Sequence, residues 1–345
     1  MPSAREIHLV SYPQGLPQPS DFALKQVELP EPGPGQMLIR TVWMSVDPYM
    51  RGRMRPEVKS YIPPFQLDQP LDGGMVGQVV ASRHDQYQPG DYVTGFSGGW
   101  RDHHLSDGRM LQKISPDIAP LSAFLGVLGL PGMTAWIGIK TVLELEAGQT
   151  LFVSAAAGAV GSLACQLGKR LGARVIGSAG SADKIAWLID GLGVDAAINY
   201  KDHADARSLT KALAAAAPDG VDRYFENVGG QHLEAALNCL NDFGRIAVCG
   251  MISQYNATAP EPGPSNLTVL IARRARMQGF LLSDHLDQTM AFFHEVGGWL
   301  REGKIHYRET VYDGLDKAPE AFIGLFTGDN VGKAVVRVGS ERCED

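Results

Sequence analysis

Residues 151–161 read LFVSAAAGAVG, an apolar run that passes into a turn of small residues at Ala156, Gly158 and Gly161. Small side chains let a backbone come close to a pyrophosphate, whose charge is then met by N–H groups at the start of a helix. The following residues supply that helix: Val160, Leu163, Ala164, Leu167 and Leu171 recur at three- and four-residue steps, and Gly172 can end it in a left-handed turn. Strand, glycine turn and amphipathic helix in succession predict a dinucleotide-binding unit, with Ala156, Gly158, Ala159, Val160 and Gly161 against the phosphates.

The next strand, 173–177, ends about twenty residues past the first glycine, where NAD-binding proteins place an Asp or Glu on the ribose hydroxyls. No acid stands there. Ser178, Ala179, Gly180 and Ser181 occupy the strand end, and Lys184 follows one turn into a helix that Ser181 can cap. A carboxylate would repel the 2′-phosphate of NADP, whereas hydroxyls and a lysine attract it, so this pattern points to NADP(H). On its own Lys184 also reads as an ordinary solvated helix lysine; the missing acid tips the reading toward phosphate.

These groups need a scaffold, and the chain is organised to supply one. Up to about residue 125 it reads as short strands broken by Pro and Gly, at 22–29, 37–46, 75–82 and 91–96, with PEPGPG (30–35) as a turn, which predicts a β-rich, barrel-like domain. From 126 to 305 strands alternate with helices, the pattern of a parallel sheet covered on both faces. Its strands are expected at 151–154, 173–177, 196–199, 221–226, 245–249 and 277–282, enough for a complete doubly wound α/β sheet. The tail, 306–345, returns to strand-like text at 306–312 and 333–338 around a short helix at 319–326 and is expected to rejoin the first domain. The longest loop, 253–265, is placed beside the cofactor cleft, and Ala214–Ala217 reads as helix.

At 345 residues the chain suits two domains better than one. A net charge of −7 leaves no electrostatic footprint for nucleic acid. Cys165, Cys239, Cys249 and Cys343 are scattered, without the close pairs of a zinc cluster or a disulfide framework, which suits reduced thiols in a cytosol. Arg5, Glu6 and His8 interrupt the first residues, so no apolar signal core is expected, and no run is long enough to span a bilayer. A cytoplasmic protein with no membrane partner is expected.

The stretches DPYMRGRM (47–54), VSAAAGAVGS (153–162), YFENVGG (224–230), GRIAVCGMISQYN (244–256), GKIHYRE (303–309) and GDNVGK (328–333) extend the argument. Through them the chain resembles the zinc-independent branch of the medium-chain dehydrogenases/reductases, in the group of prostaglandin reductases, plant double-bond reductases and NADPH-dependent curcumin reductases. The resemblance implies a GroES-like β-barrel catalytic domain, a Rossmann domain, a homodimer, and NADPH-dependent reduction of a carbon–carbon double bond conjugated to a carbonyl. It also implies that Lys184 and Tyr200, the latter in NYK, hold the 2′-phosphate. Asn227, the loop holding Cys249, Gly250, Ile252, Ser253 and Tyr255, the strand end Phe280, Leu281 and Leu282, and Asn330 match positions that line the nicotinamide side. Asn227 and Asn330 also read as loop stabilisers, since Asn bonds its own backbone in turns, and it is the family match that puts cofactor contact ahead.

Where the related alcohol dehydrogenases carry a Cys-His pair this chain has Ser45, Val46, Asp47 and Pro48, and where they carry Gly-His-Glu it has Asp72, Gly73, Gly74 and Met75, so no metal site is expected. His103 and His104 are adjacent on a strand, hence on opposite faces, and read as solvated or capping residues. Hydride addition to the β-carbon of an enone leaves charge on the carbonyl oxygen, and without a metal a donor must stand there. Tyr255, in SQYN just past a strand end, is the expected donor; Tyr49, in DPYM, is expected to face the substrate and shape its pocket. Two other readings stay open, a quinone reductase on the same fold and a non-catalytic NADPH-binding protein.

Overall fold

Ala4, Ile7 and Leu9 are buried along strand β1 (Ser3–Leu9), which pairs antiparallel with β2 (Phe22–Glu28). The strands expected from the sequence begin at residue 22 and leave out β1, where Glu6 and His8 interrupt the apolar text. Both are buried instead: His8 Nε2 lies 3.0 Å from a Glu6 carboxylate oxygen and its Nδ1 2.9 Å from the Asp68 carbonyl. The computed structural model describes residues 3–341, so Cys343 lies outside the described residues.

After β2 come β3 (Met37–Ser45), the one-turn helix α1 (Met50–Arg53), β4 (Met75–Ser82), β5 (Tyr92–Gly95), β6 (His103–Ser106) and β7 (Leu111–Ile114). Strand β3 pairs antiparallel with β4, with register shifts at Leu38/Ile39 and Thr41/Trp43, and its first half also pairs with β6. Such bulges bend a strand and let it change partners along its length.

The chain then alternates strand and helix: α2 (Leu130–Ile137), β8 (Thr150–Val153), α3 (Ala159–Arg170), β9 (Arg174–Ala179), α4 (Ala182–Ala186), β10 (Ala196–Asn199), α5 (Ala206–Ala216), β11 (Val221–Glu226), α6 (Gly230–Asn238), β12 (Leu240–Val248), α7 (Val269–Ala272), β13 (Arg276–Gly279) and α8 (Thr289–Arg301). The six strands form a parallel sheet in the order β10-β9-β8-β11-β12-β13, the doubly wound arrangement. Strand β8 is buried on both faces, which is why it reads as an unbroken apolar run. Phe152, Ile176 and Tyr224 face a core built with Leu209 and Leu213 of α5 and Leu233 of α6. Leu151 and Val175 face the other way, against Gly168 of α3, where an added Cβ would lie 2.7 and 2.9 Å from their methyl groups.

Several strand limits differ from expectation: β9 runs on to Ala179, and the strand expected at 306–312 begins only at Glu309. Strand β12 begins at Leu240, carrying Phe243 at φ +60 within it, and β13 ends at Gly279, so Phe280, Leu281 and Leu282 lie past its carboxyl end. The tail forms β14 (Glu309–Asp313), α9 (Ala318–Thr327) and β15 (Lys333–Arg337). Strand β15 pairs parallel with β14 and antiparallel with the end of β3, giving a seven-stranded sheet in the order β14-β15-β3-β4-β5-β7 with β6 on β3. Phe22, Trp100 and Phe322 of α9 pack as a buried aromatic cluster, with Phe22 and Trp100 stacked at 6.0 Å. By contacts the chain divides into two compact units, one of the chain up to Leu125 and from Glu309 onward, the other Gly126–Arg308.

Candidate active site

The glycine turn sits between β8 and α3. Its left-handed residue is Ala155, at φ +47, while Gly158 has an extended conformation, so the glycines serve close approach rather than backbone handedness. Gly161 shows this most clearly: a Cβ there would lie 2.4 Å from the Ala155 carbonyl oxygen and 2.8 Å from Ala156 Cα, both backbone atoms that cannot swing aside. Ala156 N–H donates to the Ser178 carbonyl at 2.9 Å and ties the turn to β9. Gly158 N–H is taken by Ala155 and Ser162 N–H by Gly158, while helix geometry leaves Ala159, Val160 and Gly161 without intrahelical acceptors. A Gly161→Ala substitution is expected to destabilise the protein by about 1–3 kcal/mol, the usual cost of overpacking, read as a lower midpoint in urea unfolding.

Beyond β9 and β10, which run side by side with Ala179 opposite Asn199, lie the residues expected to meet a 2′-phosphate. Ser181 caps α4 as anticipated, its hydroxyl accepting from Lys184 N–H at 3.4 Å. Tyr200 follows β10 directly and is 38% exposed. Ser178 is fully buried and its Oγ lies 2.9 Å from Nε2 of His232, a residue the sequence reading does not single out.

Beyond β11 and β12 a buried carboxylate organises the backbone. Glu226 is wholly buried, and its Oε1 accepts from Ser154 Oγ at 3.0 Å, Val228 N–H at 2.6 Å and Gly229 N–H at 3.0 Å. Burial pushes the carboxyl's pKa up, and those backbone N–H donors offset only part of the rise. The Glu226 carbonyl accepts from Cys249 and Gly250, Asn227 carbonyl from Ile252, and Val228 carbonyl from both the N–H and, at 2.6 Å, the hydroxyl of Ser253. The turn after β11 and the loop after β12 are thereby stitched together. Gly229, at φ +80, is pressed against that loop, since a Cβ would lie 3.1 Å from Met251 Cβ. Neither Glu226 nor Ser154 is a site residue in the sequence reading; the available signal is a polar residue at the end of each apolar strand.

Tyr255 stands on this loop, past the carboxyl edge of the sheet. Its hydroxyl accepts from Met251 N–H at 3.3 Å and lies 3.0 Å from where a Cβ on Gly250 would be, so the phenol is seated against the loop's own backbone. Asn227 donates its side-chain amide to the Ser154 carbonyl at 2.7 Å, and Asn330 donates to Gly332 at 2.8 Å, so both carry the loop-stabilising role. The Cys249 thiol is pushed up to about 12 by burial and by the Glu226 carboxylate, which makes it a packing residue rather than a nucleophile. Phe280 sets its ring edge against Phe225 at 6.3 Å.

In the other unit, Tyr49 packs on the aromatic core at the start of α1, and burial, reinforced by the Asp47 carboxylate, pushes its phenol pKa upward. Ser45 N–H donates to Gly74 at 2.9 Å, which brings the two stretches aligned with metal ligands in alcohol dehydrogenases side by side. What stands there is a buried Lys333, whose Nζ donates to Val46 carbonyl at 2.7 Å and to Asp47 at 3.1 Å, with Ser45 Oγ donating to the same carboxylate. Among the described residues no group of three or more His, Cys, Asp or Glu side chains is placed to hold a metal ion. His104 departs from expectation: it is buried against Gly98 rather than solvated, and burial lowers its pKa to about 3, keeping the ring neutral. His103 is half-buried beside Asp102 at 3.1 Å.

A doubly wound parallel sheet with a small-residue turn after its first strand defines a Rossmann-type dinucleotide-binding fold, in a chain that also carries a unit rich in antiparallel strands. Family models agree: residues 5–114 match the N-terminal domain of oxidoreductase, and residues 159–295 match the family described as zinc-binding dehydrogenase. The NADPH-dependent curcumin reductase of Escherichia coli (strain K12) is 45% identical over 96% of this chain and 96% of its own. The 2-alkenal reductase (NADP(+)-dependent) of Nicotiana tabacum is 43% identical over 98% of each chain. Among solved structures, CurA from Vibrio vulnificus in complex with NADPH superposes with a TM-score of 0.91 at 43% identity, over 97% of this chain and 99% of that one. The chain belongs to the medium-chain dehydrogenase/reductase family, in the group of the curcumin, 2-alkenal and prostaglandin reductases.

Proposed function

We propose that the protein is an NADPH-dependent reductase of the carbon–carbon double bond of α,β-unsaturated aldehydes and ketones. The observation that carries the reading is Tyr255, a phenol seated by backbone contacts past the carboxyl edge of a doubly wound sheet, where such folds bind their ligands. The chain's residues fit NADPH: Gly161 lets the start of α3 close onto the Ala155–Ala156 turn, helix geometry leaves the N–H groups of Ala159, Val160 and Gly161 without intrahelical acceptors, and past β9 stand Ser181 and Lys184 in place of an acid. When bound, the cofactor supplies the hydride that adds to the β-carbon.

The protein's part is to hold the enone and to meet the charge that develops on its carbonyl oxygen. Met251 N–H donates to the Tyr255 oxygen, which polarises the phenol toward donating its own proton to that oxygen. The cradle of the pyrophosphate is assigned to Ala156, Gly158, Ala159, Val160 and Gly161. Asn227, Cys249, Gly250, Ile252, Ser253, Phe280, Leu281, Leu282 and Asn330 are assigned to the nicotinamide side, with Asn227 and Asn330 acting through the loops they hold. We assign Tyr49 to shaping the substrate pocket.

Two coarser expectations belong to the same reading. A homodimer is supported by β13, an edge strand exposed along its length, and by the exposed side chains of Ile271 (81%) and Met290 (75%) on the helices before and after it in the chain; an open edge of this kind is normally covered. Analytical ultracentrifugation is expected to give twice the chain mass. A cytoplasmic location is supported by Cys165, Cys239 and Cys249, which are free thiols, and no helix among the described residues is long and apolar enough to cross a membrane.

The test is NADPH consumption against enals and enones graded in bulk, beside a quinone, with product analysis. Saturated aldehyde or ketone as product supports the reading. An allylic alcohol, or turnover of the quinone alone, overturns it.

A further inference from the structure

Resting on the NADPH reading, we infer that His232 is a positioning residue that sets preference for the 2′-phosphorylated cofactor, by holding Tyr200 ready for the phosphate. Its place in the fold makes the argument. His232 sits in the first turn of α6 and is 4% exposed, so it is too deeply buried to touch a ligand outside the sheet. Its ring packs edge-to-face against Tyr200, centroids 5.0 Å apart and planes 68° apart. Its Nε2 meets Ser178 Oγ at 2.9 Å, which fixes the rotation of the imidazole about its own axis. The phenol is also confined by Gly180, where a Cβ would come within 2.9 Å of the Tyr200 hydroxyl.

Three separate elements thus define where the Tyr200 hydroxyl stands: β9 and the residue that follows it, through Ser178 and Gly180, α6 through His232, and the register of β10 beside β9. A donor held in place before binding gives up less rotamer freedom when it meets an anion. Burial lowers the imidazole pKa to about 4, so at neutral pH His232 acts through its shape and its one hydrogen bond rather than through charge. The benefit falls on the 2′-phosphate, because a cofactor with a free 2′-hydroxyl offers Tyr200 no charge to bind.

The test is the dissociation constants of NADPH and NADH, measured by calorimetry on the full-length protein and its variants. His232→Ala is expected to weaken NADPH by about tenfold, the scale of one charge-assisted hydrogen bond, and NADH by less than about twofold. Tyr200→Phe should give the same pattern, and the double variant should be little worse than either single one, because both remove the same contact. Equal weakening of both cofactors by His232→Ala, or full additivity with Tyr200→Phe, overturns the inference. Should His232→Ala fail to fold, Ser178→Ala decides, since freeing the imidazole must lower the NADPH preference in the same direction. A wild-type protein that binds NADH as tightly as NADPH is a different result, and it refutes the cofactor reading itself.

Discussion

Tyr255→Phe is expected to lower the turnover of a small enone by about two orders of magnitude, the usual scale for loss of one oxyanion donor. The substitution deletes a single oxygen. The backbone of the loop after β12 is held elsewhere, by Cys249, Gly250, Ile252 and Ser253 bonding to the turn after β11. NADPH affinity should therefore stay within about a factor of two, and the loss should fall on kcat rather than on cofactor binding, because the phenol acts where charge develops during reaction. Steady-state kinetics with a short enal, together with NADPH titration, separates the two terms. Unchanged turnover would remove Tyr255 from the chemistry and leave a cofactor hydroxyl or another donor to be sought.

Lys184→Ala should act on the opposite half of the sheet and with the opposite signature. The lysine lies one turn into α4, whose start is capped by Ser181, at the end of β9 where an acid would otherwise select a free ribose hydroxyl. A lysine-to-phosphate contact is charge-assisted, so NADPH binding is expected to weaken by about 10–100-fold. NADH, which lacks the 2′-phosphate, should be nearly indifferent. The weakening should also shrink as salt rises, since an exposed ion pair is screened. If both cofactors lose affinity alike, Lys184 serves the helix and not the ligand.

Much of this arrangement can be read along the chain, and the reason is local. The run from Leu151 to Val153 is buried on both faces, so it carries no polar interruption, and Gly161 must lack a side chain because the backbone of Ala155 and Ala156 fills the space. The helix α3 follows from its apolar spacing, and the cap at Ser181 from a hydroxyl placed three residues before the first-turn N–H of Lys184 that it accepts. Absence of an acid after β9 is likewise a property of neighbouring letters.

What escapes the letters depends on partners distant in the chain. Glu6 and His8 look like a solvated face until each is seen to satisfy the other, and that pairing is what permits β1 to be buried. His104 has the composition of a surface strand residue, yet Gly98 makes room for its ring inside. Glu226 gathers donors from Ser154, Val228 and Gly229, and His232 meets Ser178 and Tyr200 from a helix on another stretch of chain. Residue type and spacing therefore suffice for the strand, turn and helix that cradle a dinucleotide, because those depend on contacts within a few residues. The burial of a polar side chain, and the pose of a phenol, are settled by whichever group the folded sheet brings alongside, since a buried donor or acceptor is tolerated only where a partner waits for it.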